Sequence, residues 1–260
     1  MLGWLLAFSA SAAQGGDLTF DGIDFVQIPA GSFVMGTTDA QRSALEARQA
    51  WNQFDECERP PRRVRINRPF LMGKYEVTQK QWRDTMGDNP SVFQGDDRPV
   101  DSVSWEDVQR FLKKLNAKGN AKYRLPTEAE WEYCCRAGGT NLYGLGAAAT
   151  PIRADNLQDY AWLQTDSSHH THPVGGKRAN AWGLHDMLGN VWEWCQDWYD
   201  AGFYAKAPIV DPVNSTPAVE RVMRGGSWFL GTAQVRPGFR SGNPPVTRSQ
   251  YIGFRLARDW

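Results

Sequence analysis

What this 260-residue chain lacks narrows its function first. It has no net charge, since 29 basic residues balance 29 acidic ones. Without a basic excess, generic nucleic-acid binding loses the electrostatic term that drives it, and no nucleic-acid partner is expected. Cysteine is scarce: Cys57, Cys134, Cys135 and Cys195 are the only four, and no two stand at the C-x-x-C spacing of a zinc site. An even number would permit disulfides in an exported chain, but the sequence fixes no pairing. There are no heptads, internal repeats or low-complexity tracts. The one apolar run at the start, Met1 to Ala13, is too short to span a bilayer, so no transmembrane span is expected.

That run ends in small residues, and Ala10-Ser11-Ala12 reads as a leader cleavage site. The basic residues of a usual leader are missing, because no Lys or Arg precedes Arg42. Residues 1–16 are read as a signal segment and 17–260 as a single domain, which predicts export to the periplasm. The alternative is a buried N-terminal segment. What the chain has in abundance is Trp (12), Gly (25) and Pro (15). Such a composition predicts many loops with aromatic side chains beneath them, where regular ladders do not satisfy the backbone.

Residues 17–36 read as a hairpin around Pro29-Ala30-Gly31-Ser32. Residues 39–54 read as a helix capped by Thr38 or Asp39, and residues 64–70 as a strand. Three further helices carry start signals at Thr78, at Ser104 with Asp107, and at Thr127 with Glu130. Val108, Phe111, Leu112 and Leu115 form the buried stripe of the second of these. Residues 137–182 read as loop, and 221–228 and 251–257 as short strands.

The stretch from Gly183 to Trp194 places Asp186 and Glu193 seven residues apart around a Gly189-Asn190 turn. A loop that bends back can aim both carboxylates and intervening carbonyls at one point. That all-oxygen set suits calcium better than zinc or copper. The alternative is that both carboxylates bond turn N–H groups with no metal.

Seven segments in order resemble the sulfatase-modifying-factor family, whose best-known member is the formylglycine-generating enzyme. They are Gly31-Ser-Phe-Val-Met-Gly36, Glu76-Val-Thr78, Pro99-Val-Asp-Ser-Val-Ser-Trp105, Tyr123-Arg-Leu-Pro-Thr-Glu-Ala-Glu-Trp-Glu-Tyr133, Asn180 to Trp194, Arg221-Val-Met-Arg-Gly-Gly-Ser-Trp228 and Ile252-Gly-Phe-Arg255. The resemblance implies an α+β fold with little regular secondary structure, similar to C-type lectin domains. It implies a structural calcium held by the side chains of Asp186 and Glu193 and the carbonyls of Gly189 and Val191. A second family calcium site would begin at Asn156-Leu157, its remaining ligands unassigned.

The same resemblance removes the family's best-known chemistry. The formylglycine-generating enzyme oxidises a client cysteine with copper held by two cysteines shortly after the Gly-Gly-Ser-aromatic strand. Here the matching positions are Leu230 and Val235, which cannot ligate Cu(I), so no copper is expected. Cys135 matches a structural family cysteine whose usual partner position is Leu256, so that disulfide is expected to be absent. Family members line the substrate groove with the C-terminal stretch, which nominates Trp228, Arg236, Arg240, Ser241, Asn243 and Arg248 as a ligand or partner groove. Arg236 and Arg240 would either present guanidiniums to an acidic ligand or pair with carboxylates and brace the loop. His169, His170 and His172 cluster on one loop, where they are either a metal pair or a solvated tip. His185 is expected to be packed.

Three functions compete. The first is a non-catalytic periplasmic module that grips an envelope protein through the groove or the 39–63 insert, as exported relatives without the copper cysteines do in type VI secretion (the TagR-like regulators). The second is an oxidoreductase with altered chemistry that matures a metabolite or siderophore. The third is a calcium-dependent glycan binder, disfavoured because the Trp residues sit within core motifs.

Overall fold

The computed structural model describes residues 18–119, 122–145 and 153–260. The signal segment and its cleavage site lie outside the described residues. Strands β1 (Leu18–Phe20), β2 (Ile23–Ile28), β3 (Gly31–Met35), β4 (Arg62–Ile66) and β5 (Phe70–Gly73) occupy the first part of the chain. Strands β6 (Tyr123–Arg124), β7 (Trp192–Trp198), β8 (Arg221–Arg224), β9 (Arg240–Asn243), β10 (Ile252–Gly253) and β11 (Ala257–Asp259) follow. They form a five-stranded sheet ordered β1-β2-β5-β11-β6, a four-stranded sheet ordered β10-β7-β8-β9, and the pair β3-β4. Helices and sheets mix with long irregular connections, which is the α+β architecture expected.

The hairpin lies elsewhere than expected. β2 turns back on β1 through Asp21-Gly22, both left-handed (φ 52° and 74°), while β3 leaves to pair with β4. Two left-handed residues match the twist of paired strands, whereas Pro29 lacks a ladder N–H. The helices begin where their caps put them. α1 (Asp39–Glu46), α2 (Gln79–Met86), α3 (Trp105–Asn116) and α4 (Glu128–Arg136) each open on a reciprocal capping box, from Thr38, Thr78, Ser104 and Thr127. Such a cap contributes about 1 kcal/mol. α1 is shorter than the 39–54 expected: Gln49 is left-handed and the Ala50 N–H closes onto Leu45 O at 2.9 Å, which satisfies the last carbonyls. A turn and an irregular stretch follow, and a separate 3₁₀ helix, Gln53–Glu58, begins where the expected helix would have ended.

α3 buries Val108, Phe111, Leu112 and Leu115 against Trp82 of α2 and Phe254. α4 buries Trp131 and both of its cysteines on the other side, against Leu184, Met187 and Leu188. All four thiols are free, and Leu256 fills the position matching the family's second cysteine. The turn from Gly183 to β7 therefore runs between the two cores. No helix among the described residues is long and apolar enough to cross a membrane.

Candidate functional site

The turn before β7 gathers charge that the core does not neutralise. Gly189 must be glycine: its φ is +79° and an added Cβ would lie 2.2 Å from the Trp162 carbonyl oxygen. That close approach fixes the turn. Asn190 then bonds in three directions. Its Nδ2 donates to Glu76 Oε2 (2.7 Å) and to the His172 carbonyl (3.2 Å), and its Oδ1 accepts the His172 N–H (2.9 Å). The Val191 N–H donates to Glu76 Oε1 (3.2 Å).

The two expected carboxylate ligands differ in their surroundings. Asp186, 2% exposed, accepts the Gly175 N–H through Oδ2 (2.6 Å), while its Oδ1 has no hydrogen-bond partner among the described residues. Glu193 is saturated on one oxygen and committed on the other. Its Oε2 accepts from Trp131 Nε1 (2.6 Å) and Arg255 Nε (2.7 Å), and its Oε1 accepts from Arg255 Nη2 (2.6 Å). Arg255 also donates to the carbonyls of Gly73 (3.1 Å) and His185 (2.9 Å). Three buried carboxylates, Glu76, Asp186 and Glu193, thus share one guanidinium. Burial pushes the Glu76 carboxyl well above the ordinary range, and Asp186 and Glu193 add repulsion that Arg255 opposes. Burial also pushes Asp186 up to about 6, against the pull of the Gly175 N–H and Arg255. An orphaned carboxylate oxygen and surplus buried negative charge fit a divalent cation at Asp186. The bidentate pair at Glu193 does not.

The second expected metal pair lies at the start of a short 3₁₀ turn, Leu157–Asp159. Asn156 Oδ1 accepts the Arg153 N–H (2.7 Å), and Leu157 is fully buried in the core. Among the described residues, no three His, Cys, Asp or Glu side chains form a metal-ligating group. On the histidine loop, the rings of His170 and His172 lie 4.5 Å apart. Each ties a nitrogen to a carbonyl, His170 Nδ1 to Thr171 O and His172 Nε2 to Ser167 O, both at 2.8 Å. His172 stacks on Trp162 at 3.7 Å, and burial lowers its pKa. His185 packs on Tyr75, with Nδ1 2.9 Å from Lys177 O.

The groove opens between β8, β9 and the Ser227–Leu230 turn as a cavity of about 280 Å³. Ser241 and Asn243 line it, as expected, together with Ser227, Thr247 and Ser249. Leu230, Met223 and Tyr251 supply apolar surface, and no charged side chain lines it. Trp228 stands behind the rim, 3% exposed, packed on Phe93, Phe229 and Tyr251. A larger cavity of about 370 Å³ beside α2 shares no lining residue with this groove and is lined in part by the paired charges Lys80 and Asp84.

The family described as "Sulfatase-modifying factor enzyme 1-like domain" matches residues 17–260. The chain belongs to the sulfatase-modifying-factor family. A formylglycine-generating enzyme of Streptomyces coelicolor is 37% identical over 193 residues, covering 70% of this chain and 60% of that protein. A "Chaperone protein LppX" of Paenibacillus barcinonensis is 33% identical over 217 residues, 64% of this chain and 72% of that one. Among solved structures, PvdO from Pseudomonas aeruginosa superposes with a TM-score of 0.78 at 28% identity, covering 92% of this chain and 95% of that chain. Treponema denticola variable protein 1 does so at 0.72 and 27%, covering 94% and 99%.

Within this sulfatase-modifying-factor scaffold, the two positions matching the copper cysteines are neighbours. A Cβ added to Gly226 would meet Val235 Cγ2 at 2.9 Å and Leu230 Cδ1 at 3.6 Å. Val235 is fully buried there, Leu230 faces the groove, and none of the four thiols lines the cavity. Three nominated groove arginines are corrected. Arg236 is buried in ion pairs with Asp55 (2.8 Å) and Glu58. Arg240 is buried in a two-pronged pair with Glu128, both contacts 2.7 Å. Arg248 lies outside the cavity lining and forks onto Asp107 at 2.6 and 2.8 Å. A buried guanidinium needs a carboxylate partner, and the acidic residues of α4 and the 3₁₀ helix supply it. Glu76 and Arg255 were missed as site residues. The available signal was a lone charge set among apolar neighbours, in Tyr75-Glu76-Val77 and Phe254-Arg255-Leu256.

Proposed function

We propose that this chain is a non-catalytic binding module on a formylglycine-generating-enzyme-like scaffold, exported to the cell envelope, where it grips a partner polypeptide in the groove beside Leu230. One observation carries the reading: Leu230 and Val235 pack over Gly226 where the family's oxidases place thiolates, and no cysteine lines the groove, whose one sulfur is the Met223 thioether. Hydrocarbon side chains cannot bind Cu(I) or pass electrons. The groove's uncharged hydroxyl and amide lining favours a neutral, extended polypeptide, because a charged ligand would lose hydration with no counter-charge. A relative named as a chaperone supports the binding of another polypeptide. An accessory role in type VI secretion is the setting proposed, with calcium as a structural ion and no copper.

The test has two arms. In-cell crosslinking in the native envelope, with mass spectrometry, is expected to recover a stable partner whose yield falls when Ser241 and Asn243 are replaced by Arg. Purified chain loaded with copper is expected to leave a sulfatase-type cysteine peptide unchanged. Turnover of that peptide, or of a metabolite, with no partner recovered, would overturn the reading.

A further inference from the structure

β3 and β4 form a small ribbon outside the two larger sheets, and its two faces differ. Val64 and Ile66 of β4 and Met35 of β3 are buried, and Phe33 packs on Tyr133 of α4. The opposite face meets solvent. On it the register sets Val34 across from Arg63 and Ser32 across from Arg65, and a parallel bridge adds Val210 beside Arg65. Val34 is 46% exposed and Val210 37%, and Ser32, Arg63 and Arg65 are exposed with them. Neither arginine enters an ion pair among the described residues, whereas Arg59, just before the strand, is paired with Asp39. The carboxylate of Asp211, next to Val210 in the chain, accepts the Asn67 N–H at 2.8 Å.

The main chain of β3 is open on its outer side. The N–H and C=O of Arg65 bond Ile209 and Asp211 on the far side of β4, at 2.8 and 2.9 Å. Residues of an antiparallel pair alternate between bonding the partner strand and facing away from it. Arg63 and Arg65 thus turn their main-chain groups away from β3, and their cross-strand neighbours Val34 and Ser32 turn theirs away from β4. These N–H and C=O groups of Ser32 and Val34 meet no backbone partner among the described residues. Such an edge is a template for one more strand.

Charge decides which strand fits. A second copy adding its own β3 would put four guanidiniums on one face with no counter-charge, and like charges on neighbouring strands destabilise a sheet. An extended segment with carboxylates at alternate positions would hold them on the face that carries Arg63 and Arg65. That segment would lie two strand spacings from β4, about 10 Å, which an arginine and a glutamate side chain can span together. We propose that β3 is a docking edge for an extended acidic segment of a partner protein, which bonds Ser32 and Val34 through its main chain and sets carboxylates against Arg63 and Arg65. The edge shares no residue with the groove beside Leu230, so it is a second and separate binding surface.

The full chain is titrated with a short fluorescent peptide of alternating Glu and Val, read by anisotropy. Saturable binding is expected, with slowed hydrogen exchange at the Ser32 and Val34 amides. Arg63→Glu combined with Arg65→Glu should weaken binding by about tenfold or more, and raised salt should weaken it too. Val34→Pro removes one outward N–H and leaves in place the bonds that Phe33 and Met35 make to β4; it should also cost about tenfold in affinity. Replacing Ser241 and Asn243 by Arg should keep affinity within about twofold, because distant sites act independently. If Val34→Pro does not fold, a peptide N-methylated on alternate amides puts the same question to the wild-type chain and should not bind. Equal binding of the N-methylated peptide, or of a peptide with Lys in place of Glu, would overturn the proposal. So would a wild-type chain that binds no peptide, or one that forms dimers in sedimentation that Val34→Pro abolishes.

Discussion

Two buried charge clusters in this molecule are built in opposite proportions. Under α4, the carboxylates of Glu128 and Glu132 meet three guanidiniums, Arg136, Arg224 and Arg240. At the turn, Glu76, Asp186 and Glu193 meet only Arg255. In the first cluster burial works to raise the Glu132 carboxyl, but Arg136 and Arg224 hold it below its ordinary value. In the second, burial and mutual repulsion raise Glu76 and Asp186 together. The first cluster balances its charge without a ligand, and its guanidiniums also donate to carbonyls such as Pro237 and Asp200, although Arg224 Nε has no partner among the described residues. The second has acceptor capacity left over. Counting charge within each buried cluster thus separates a balanced lattice from a turn with more carboxylates than guanidiniums.

The largest effect should come from the lattice. Arg224→Met removes one of the two guanidiniums on each of Glu128 and Glu132 and should cost about 3–5 kcal/mol in urea unfolding. A loss under about 1 kcal/mol would break the contrast. Next, the same neutralising swap should have opposite signs in the two regions. Glu132→Gln should destabilise by about 2–3 kcal/mol, because charge-assisted bonds to Arg136 and Arg224 are lost. In chelator at pH 7, Asp186→Asn should stabilise, because burial disfavours the charged carboxylate and pushes the folded value up to about 6.

Asp197 tests the lattice edge. It accepts N–H groups from Glu128 (2.7 Å) and Asn214 (2.8 Å) but no guanidinium, and burial, with Glu128 adding repulsion, pushes it up to about 7. Its folded value lies above the ordinary carboxylate value, so the folded chain keeps a proton that the unfolded chain releases. Stability should therefore fall as pH rises from about 4 to about 7, by at most about 1.4 kcal/mol per pH unit from this group. Urea midpoints across that range should show the fall, and Asp197→Asn should flatten it. The smallest effect on stability is expected where neither cluster reaches. Leu230→Cys combined with Val235→Cys should cost about 1 kcal/mol, for the few methylenes removed, yet create a Cu(I)-binding thiol pair detectable by competition with a chromophoric chelator. Absence of copper binding would show that the two positions do not converge as Gly226 indicates.

Much of the scaffold was legible because it rests on local rules. All four capping boxes place hydroxyls and acceptors three residues apart in the chain, and the α3 stripe follows a 3.6-residue period. The hairpin was misplaced because Pro29 to Ser32 looked like a turn, while Asp21-Gly22 meets the left-handed requirement of a two-residue loop. The groove was legible at Ser241 and Asn243, which share a face of β9. It was not legible at Arg236 and Arg240, because nothing near them in sequence names Asp55, Glu58 or Glu128 as partners.

The sequence by itself determined the family and that the two positions matching the copper cysteines carry no ligand atoms, since a leucine and a valine have none in any conformation. It also determined where helices begin, because a cap and its helix are neighbours in the chain. Only the tertiary structure decided which charges meet: that Arg255 closes on Glu193, that Glu76 accepts from Asn190 and Val191 of the turn, and that two expected groove arginines are interior. Coulomb energy and desolvation depend on distance through space and on burial, and neither can be read from spacing along the chain.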